Sequence, residues 1–140
     1  MSRYNDGESM TEPRYRSTFK SKGGMRRIAQ AGLYSWKGLR AAFVHEAAFR
    51  QELLLVVCLA PFAFWLGRSV VEVVVLLGAL LLILIVELLN SAIEALADAI
   101  SVDTHPLLGR AKDLGSAAVF VSFVCAAVAW GGIAIARFWN

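Results

Sequence analysis

The chain has 140 residues, of which 58% are hydrophobic and 18% are charged. This composition is too apolar for an ordinary soluble domain, so it predicts a small membrane protein with a single domain. The net charge is +3, and ten of the 14 Lys and Arg residues lie in the first 50 positions. Because apolar segments follow this basic end, we interpret it as attracted to anionic lipid and exclude a nucleic-acid partner.

The first 24 residues are polar and mixed in charge, without periodic apolar positions, and predict a disordered cytoplasmic tail. Residues 25–45 have the pattern of an amphipathic helix. When its residues are placed at 100° intervals, an apolar arc of about 80° contains Ile28, Gly32, Trp36, Leu39 and Phe43. Basic and polar residues lie opposite, which predicts a helix lying in the membrane interface, with packing against protein as the alternative.

Three apolar segments follow, and each is long enough to cross a bilayer once its flanks are included. The first is predicted over residues 47–66, where Pro61 is expected to kink or tilt the helix. The second is predicted over 70–98 and the third over 114–136, with a polar cytoplasmic loop at 101–113 between them. The predicted fold is therefore an all-α membrane protein, with an N-terminal amphipathic surface helix and three transmembrane helices.

The distribution of basic residues predicts the orientation of these helices. With the N-terminus inside, the cytoplasmic segments hold twelve Lys and Arg residues, whereas the outside holds only Arg68 and Arg137. Because the cytoplasmic loops of membrane proteins carry the excess of basic residues, this predicts an N-in, C-out topology. The end of the second span, the 101–113 loop and the surface helix then meet at the cytoplasmic leaflet.

An acidic helix face is predicted where the second span leaves its uncharged run. Glu87 and Glu94 are seven residues apart and lie within about 20° of each other on a helix, with Asn90 between them. Asp98 follows one turn later. Two carboxylates and an amide in line are costly near hydrocarbon, and such residues are expected to be functional.

Other charged residues are predicted to gather at the same interface: Glu46, Glu52, Asp103, His105, Arg110, Lys112 and Asp113. Converging carboxylates suit Mg²⁺, Lys and Arg suit phosphate oxygens, and a remaining carboxylate can deprotonate a hydroxyl. Together these are the parts of a phosphoryl-transfer site. The chain has no Walker A motif and no Gly-rich kinase loop, which excludes the known soluble kinase architectures. The alternative is that the carboxylates pair with Arg and Lys to hold an oligomer together.

Three segments of the chain closely resemble the prokaryotic integral-membrane diacylglycerol kinase family. They are AGLYSWKGLRAAFVHEAAFRQE at 31–52, VELLNSAIEALAD at 86–98 and GRAKDLGSAAV at 109–119. The resemblance extends from about Arg27 to the C-terminus and leaves the tail outside it. It implies a homotrimer of three-span subunits, each with a surface helix, that phosphorylates a lipid hydroxyl with ATP and Mg²⁺.

The resemblance also implies roles for individual residues. Glu87 is expected to be the catalytic base, Glu46 and Glu94 to hold the metal, and Asn90 and Asp98 to support the site. The expected ATP-binding residues are Arg27, Tyr34, Glu46, Glu94, Asp103, Thr104, His105, Lys112 and Asp113. The expected lipid-substrate contacts are Arg27, Ala31, Gly32, Leu33, Tyr34, Ser35, Trp36, Arg40, Ala41, Ala42, Phe43, Ala48, Phe49, Arg50, Gln51, Glu52, Glu87, Ser116 and Trp130.

Some of these residues also have a structural interpretation. Asp98 can serve a salt bridge or a helix end, His105 can be an ordinary loop residue, and Trp130 can be a packing or lipid-facing aromatic.

The predicted function is phosphorylation of diacylglycerol to phosphatidic acid, in lipid recycling at the cytoplasmic face of a bacterial inner membrane. The expected partners are diacylglycerol, ATP, membrane lipid and further copies of the chain. One alternative is a kinase for undecaprenol or another polyprenol, since the same core residues serve that reaction in related proteins. The alternative from another class is a non-catalytic oligomeric membrane protein or a small ion-conducting assembly.

Overall fold

The computed structural model describes residues 24–100 and 105–139, and these residues form four helices. They are α1 (Gly24–His45), α2 (Ala47–Leu66), α3 (Val70–Ile100) and α4 (Pro106–Trp139). The prediction of an all-α chain is confirmed for this part of the molecule. Residues 1–23 of the predicted tail lie outside the described residues, and its last residue, Gly24, begins α1.

Three of the four helices have the length and composition of membrane spans. Helices α2, α3 and α4 contain 20, 31 and 34 residues and are apolar enough to cross a bilayer, as predicted. At the α-helical rise α3 is about 46 Å long, compared with a hydrocarbon core of about 30 Å. One end of α3 must therefore extend beyond the hydrocarbon.

The start of α4 differs from the prediction. Residues 106–113 were expected to belong to a polar loop, but α4 begins at Pro106, eight residues before the predicted start at Leu114. Proline suits the first position of a helix because its fixed φ is helical and its missing N–H needs no partner there. The Nδ1 atom of His105 accepts a hydrogen bond from the backbone N–H of Leu107 at 3.3 Å. A helix start is therefore favoured at this point despite the polar sequence.

The described residues fall into two compact units, 24–34 and 35–139. The first unit consists of the first half of α1, whose residues are mostly exposed. In the second unit α3 is the central element, packing against α4 and also against α2. A short bend at residues 67–69 joins α2 to α3. Consequently the start of α2 and the end of α3 share one end of this unit.

The opposite end of this unit is closed by packing and hydrogen bonds. Ala63, Leu66 and Leu76 form a buried cluster, with Trp130 packed against it. The indole Nε1 of Trp130 donates to the carbonyl of Leu76 at 3.2 Å. The guanidinium of Arg68 donates to the carbonyl of Arg137 at 2.9 Å, and the backbone N–H of Arg68 donates to Glu72 Oε2 at 2.6 Å. These contacts tie the α2–α3 bend to the end of α4.

Candidate functional site

Three polar side chains are buried among apolar residues at the end of the unit formed by the start of α2 and the end of α3. Glu87 and Asn90 on α3 are 4% and 8% exposed, and Glu52 on α2 is 7% exposed. The carboxylates of Glu52 and Glu87 interact electrostatically across the α2–α3 interface. Two carboxyl groups in one buried place are costly to ionise together, so this is an unusual arrangement for a purely structural interface.

Glu46 and Glu94 complete a group of four acidic residues. Both are half-buried, and their carboxylates interact electrostatically with that of Glu87. Glu46 precedes the first residue of α2 in an extended conformation, and its side chain makes no hydrogen bond to the helix end. Its carboxylate is therefore not occupied by capping. We refer to Glu46, Glu52, Glu87 and Glu94 as the carboxylate cluster.

The Asn90 amide connects to this cluster through Glu94 and through Glu87, whose carboxylate its side chain also contacts. Its Nδ2 atom donates to Glu94 Oε1 at 3.0 Å. Asn90 and Glu94 are one turn apart, which places their side chains on the same face of α3. The structure thus brings together Glu46, Glu87, Asn90 and Glu94, the residues that the sequence singled out for catalysis, metal binding and support.

A basic residue from α4 lies beside the cluster. Lys112 Nζ is 2.5 Å from Asp98 Oδ1 and also interacts electrostatically with Glu94. Lys112 lies in the second turn of α4, and Asp113, the next residue, is exposed on the same helix. Asp98 therefore forms a salt bridge, in agreement with the structural interpretation of this residue. The contact joins the last turns of α3 to the first turns of α4.

Two expected nucleotide-binding positions, Asp103 and Thr104, lie outside the described residues. His105 is described, and its ring accepts the hydrogen bond from Leu107 at the start of α4. This contact gives His105 a structural role as a helix cap. It also occupies the Nδ1 atom, which leaves Nε2 as the ring atom for any ligand.

The expected lipid contacts on α1 fall in both units. Arg27, Ala31, Gly32, Leu33 and Tyr34 belong to the first unit and are exposed. In the second unit, Ser35 and Ala42 line a groove of about 730 Å³ together with Glu46, Leu88 and Ser91. The groove reaches one member of the carboxylate cluster and is otherwise mainly apolar.

A second groove of about 670 Å³ runs beside the first. Trp36, Arg40, Phe43 and Phe49 line it from α1 and α2, and α3 contributes apolar residues: Leu81, Leu84, Ile85 and Leu88. Four of the expected lipid contacts therefore share one apolar surface. Ala41 lies with Lys37 and His45 at a smaller groove on α1.

The remaining expected lipid contacts line neither of these two larger grooves. The guanidinium of Arg50 donates to the carbonyls of Phe43 and Val44 at 3.1 and 3.2 Å, which satisfies acceptors at the end of α1. Ala48, Gln51 and Ser116 are exposed. Trp130 packs at the other end of the unit, against a residue roughly 16 Å from Glu87 along α3. The packing interpretation therefore describes Trp130 better than a lipid contact near the cluster.

The carboxylates near Glu87 suit a magnesium ion that takes only some of its ligands from the protein. Among residues 24–100 and 105–139, no group of three or more His, Cys, Asp or Glu side chains is arranged to hold a metal ion. Mg²⁺ commonly binds through one or two carboxylates, while waters and substrate phosphates complete its shell. Glu46 and Glu94 provide two carboxylates around Glu87. Their chemistry therefore fits an Mg²⁺ ion that arrives with a nucleotide, and it does not fit a closed structural metal site.

The sequence places Glu52 among the charged residues at this interface and among the expected lipid contacts, but it does not predict the contact of Glu52 with Glu87. Its position one residue before an apolar run was the available signal, since the span needed flanking residues to cross the bilayer. Which face of α2 meets α3 is a tertiary property, and the nearly uniform apolar sequence of α2 does not encode it.

These features define a class: a multi-pass α-helical membrane protein with a cluster of buried and half-buried carboxylates and a lysine at one end of its helices. Comparison with known proteins identifies the family. Residues 33–134 match the family model for prokaryotic diacylglycerol kinase. The chain therefore belongs to the prokaryotic diacylglycerol kinase family, which confirms the predicted family and the prediction of an enzyme.

Individual relatives cover nearly the same region. The chain is 50% identical over 107 residues to the diacylglycerol kinase of Escherichia coli K12, covering 76% of this chain and 88% of that protein. It is 51% identical over 117 residues to the diacylglycerol kinase of Pseudomonas aeruginosa, covering 84% and 95%. For the diacylglycerol kinase of Haemophilus influenzae the identity is 42% over 110 residues, covering 79% and 93%.

Proposed function

We propose that the chain transfers the γ-phosphoryl group of ATP to the free hydroxyl of diacylglycerol and so forms phosphatidic acid. The observation that carries this proposal is the buried Glu87 carboxylate with Glu46 and Glu94 around it. Lys112 interacts with Glu94, and a mainly apolar groove reaches Glu46. Transfer between a lipid and a nucleotide needs an apolar surface for the lipid chains beside charged groups for the phosphates. The family membership supports the same reaction.

Glu87 is proposed to act as the general base. Its carboxylate accepts the proton of the diacylglycerol hydroxyl as the hydroxyl oxygen forms a bond to the γ-phosphorus and the bond to the ADP oxygen breaks. Burial on α3 excludes water, which would otherwise compete with the lipid hydroxyl for the phosphoryl group.

Glu46 and Glu94 would hold Mg²⁺, and Asn90 would keep Glu94 in place through its hydrogen bond. The ion, when bound, supplies positive charge to the phosphate oxygens of ATP. Lys112 adds a fixed ammonium group on the same side of the cluster, which suits a γ- or β-phosphate oxygen. Asp98 holds this ammonium group by its salt bridge.

The two grooves between α1 and α3 are proposed to receive the acyl chains and glycerol of the lipid. Trp36 and Phe43 give one groove an aromatic and apolar lining. Ser35 and Ser91 give the other two hydroxyl groups, and Glu46 also lines it. Such a combination orients a molecule with an apolar tail and a polar head. The reacting hydroxyl would then lie towards the carboxylate cluster.

We further propose an N-in, C-out subunit in a bacterial inner membrane, with the site at the cytoplasmic face and three subunits in each assembly. The excess of basic residues near the N-terminus and around the start of α4 supports this orientation. Many large apolar side chains on α2, α3 and α4 are exposed in the single chain, which suits contact with lipid and with other subunits. The family resemblance supports the trimer.

Phosphate transfer from labelled ATP in lipid micelles tests this function. Diacylglycerol and undecaprenol are offered side by side, with and without Mg²⁺. Strong Mg²⁺-dependent labelling of diacylglycerol alone is expected. Labelling of undecaprenol instead would keep the reaction and change the substrate, and labelling of neither by a folded, oligomeric protein would favour the non-catalytic alternative.

A further inference from the structure

Gly115 lies where α4 passes close to the Asn90 side chain. It is buried, and a Cβ atom added at this position would overlap the Asn90 side-chain oxygen and lie 3.3 Å from its Cγ atom. The glycines Gly109, Gly131 and Gly132 lie on the same helix, and a Cβ atom at any of them would meet nothing within 4 Å. Among the glycines of α4, the close contact is therefore specific to position 115.

The Asn90 amide is held in one orientation by its surroundings. Its Nδ2 atom donates to Glu94 Oε1 at 3.0 Å, and a carboxylate oxygen can only accept, so the nitrogen end of the amide must face Glu94. The oxygen end consequently faces Gly115. It is buried and has no hydrogen-bond partner among the described residues.

This orientation depends on the space that Gly115 leaves. A buried amide with one unsatisfied end gains by rotating towards a new partner, since an unmade hydrogen bond in a buried place is costly. The backbone of α4 beside the amide limits such rotation, whereas any side chain at position 115 would displace the amide from its present position. A displaced Asn90 no longer directs its N–H group at Glu94.

We infer that Gly115 is a positioning residue for phosphoryl transfer, because it keeps the Asn90 amide aimed at Glu94 and thereby keeps Glu94 beside Glu87. Gly115 does not touch the substrate in this arrangement, and its effect passes through Asn90. The inference rests on the proposed function, since the Asn90–Glu94 pair acts in that reaction.

The test compares Gly115→Ala with Gly132→Ala, which makes the same change on the same helix where there is open space. Gly115→Ala is expected to lower kcat about tenfold or more, because small displacements of catalytic groups have effects of this size. The KM for diacylglycerol stays near the wild-type value, since the apolar grooves are unchanged. Gly132→Ala keeps the wild-type kcat.

A double-variant comparison separates positioning from general damage to packing. In an Asn90→Ala chain the overlap with a residue at position 115 is removed, so adding Gly115→Ala is expected to change neither the residual rate nor the thermal stability further. Independent, multiplying losses would overturn the inference, as would equal kcat values for Gly115→Ala and Gly132→Ala in an active protein. If wild-type and Gly132→Ala proteins both fail to phosphorylate diacylglycerol, the proposed function itself falls and the inference with it.

Discussion

Glu52, Glu87 and Asn90 are each less than a tenth exposed, on helices whose other buried residues are mainly apolar. Burying polar groups costs free energy unless they find partners. Within the described residues, Glu52 Oε2 and Asn90 Oδ1 are buried without a hydrogen-bond partner. Polar atoms left unsatisfied in this way are uncommon in folded proteins and concentrate at functional sites.

Glu87→Gln tests the assignment of the base. The amide keeps the size of the side chain but accepts a proton far less readily, so kcat is expected to fall about 100-fold or more. Oligomer assembly in detergent is expected to remain, since the volume is unchanged. Glu72→Gln makes the same change at the opposite end of α3 and serves as the control. Near-normal turnover of Glu87→Gln would show that Glu87 is not the base.

Glu46→Gln and Glu94→Gln test the proposed metal ligands. Each change removes one negative ligand, so the Mg²⁺ concentration for half-maximal activity is expected to rise about tenfold or more. The measurement is an Mg²⁺ titration of the rate at saturating diacylglycerol, again with Glu72→Gln as control. Titrations that match the wild type in both variants would contradict the metal role.

At the scale of elements, the salt bridge between Asp98 and Lys112 fixes the end of α3 against the start of α4. Asp98→Asn is expected to release Lys112, which raises the KM for ATP about two- to fivefold, as for other solvent-exposed ion pairs. The KM for diacylglycerol should not change. Asp98→Glu retains the charge and is the control. An unchanged KM for ATP in Asp98→Asn would mean that Lys112 needs no such support.

Trp130 lets the packing of α4 on α3 be tested apart from the chemistry. Trp130→Phe removes the hydrogen bond to Leu76, so the free energy of unfolding is expected to fall by about 1 kcal/mol while turnover and the KM for diacylglycerol stay unchanged. Trp139→Phe, at an exposed position, is the control and should alter neither the free energy of unfolding nor the kinetic constants. A raised KM for diacylglycerol with unaltered stability would instead indicate that Trp130 contacts the lipid substrate.

The elements also show what the sequence can and cannot predict. The end of α2 follows from a local signal, because Gly67 follows its last apolar residue, whereas its start lies before the charged residues Arg50 and Glu52. The start of α4 does not, because polar residues from His105 to Asp113 resemble a loop until the cap and proline are considered together. Likewise the spacing of Glu87 and Glu94 predicts one acidic face of α3. The contacts that Glu52 and Gly115 make with this face depend on how α2 and α4 pack against α3.

At the scale of the whole molecule, the hydrogen bonds of Arg68 and the salt bridge of Lys112 mark opposite ends of the three long helices. All members of the carboxylate cluster lie towards the end marked by Lys112. The side of the membrane that this end faces therefore decides whether the site can reach cytoplasmic ATP. The sequence supports an answer only through the distribution of its basic residues.

Labelling of single cysteines decides the orientation. In a chain whose Cys58 and Cys125 are replaced by alanine, Ser69→Cys marks the α2–α3 bend and Leu107→Cys marks the start of α4, with every basic residue retained. With the N-terminus inside, a membrane-impermeant thiol reagent is expected to label position 69 in cells with an opened outer membrane, and position 107 only after the inner membrane is permeabilised. The reverse pattern would place the carboxylate cluster at the outer leaflet, away from cytoplasmic ATP, and would contradict both the topology and the proposed reaction.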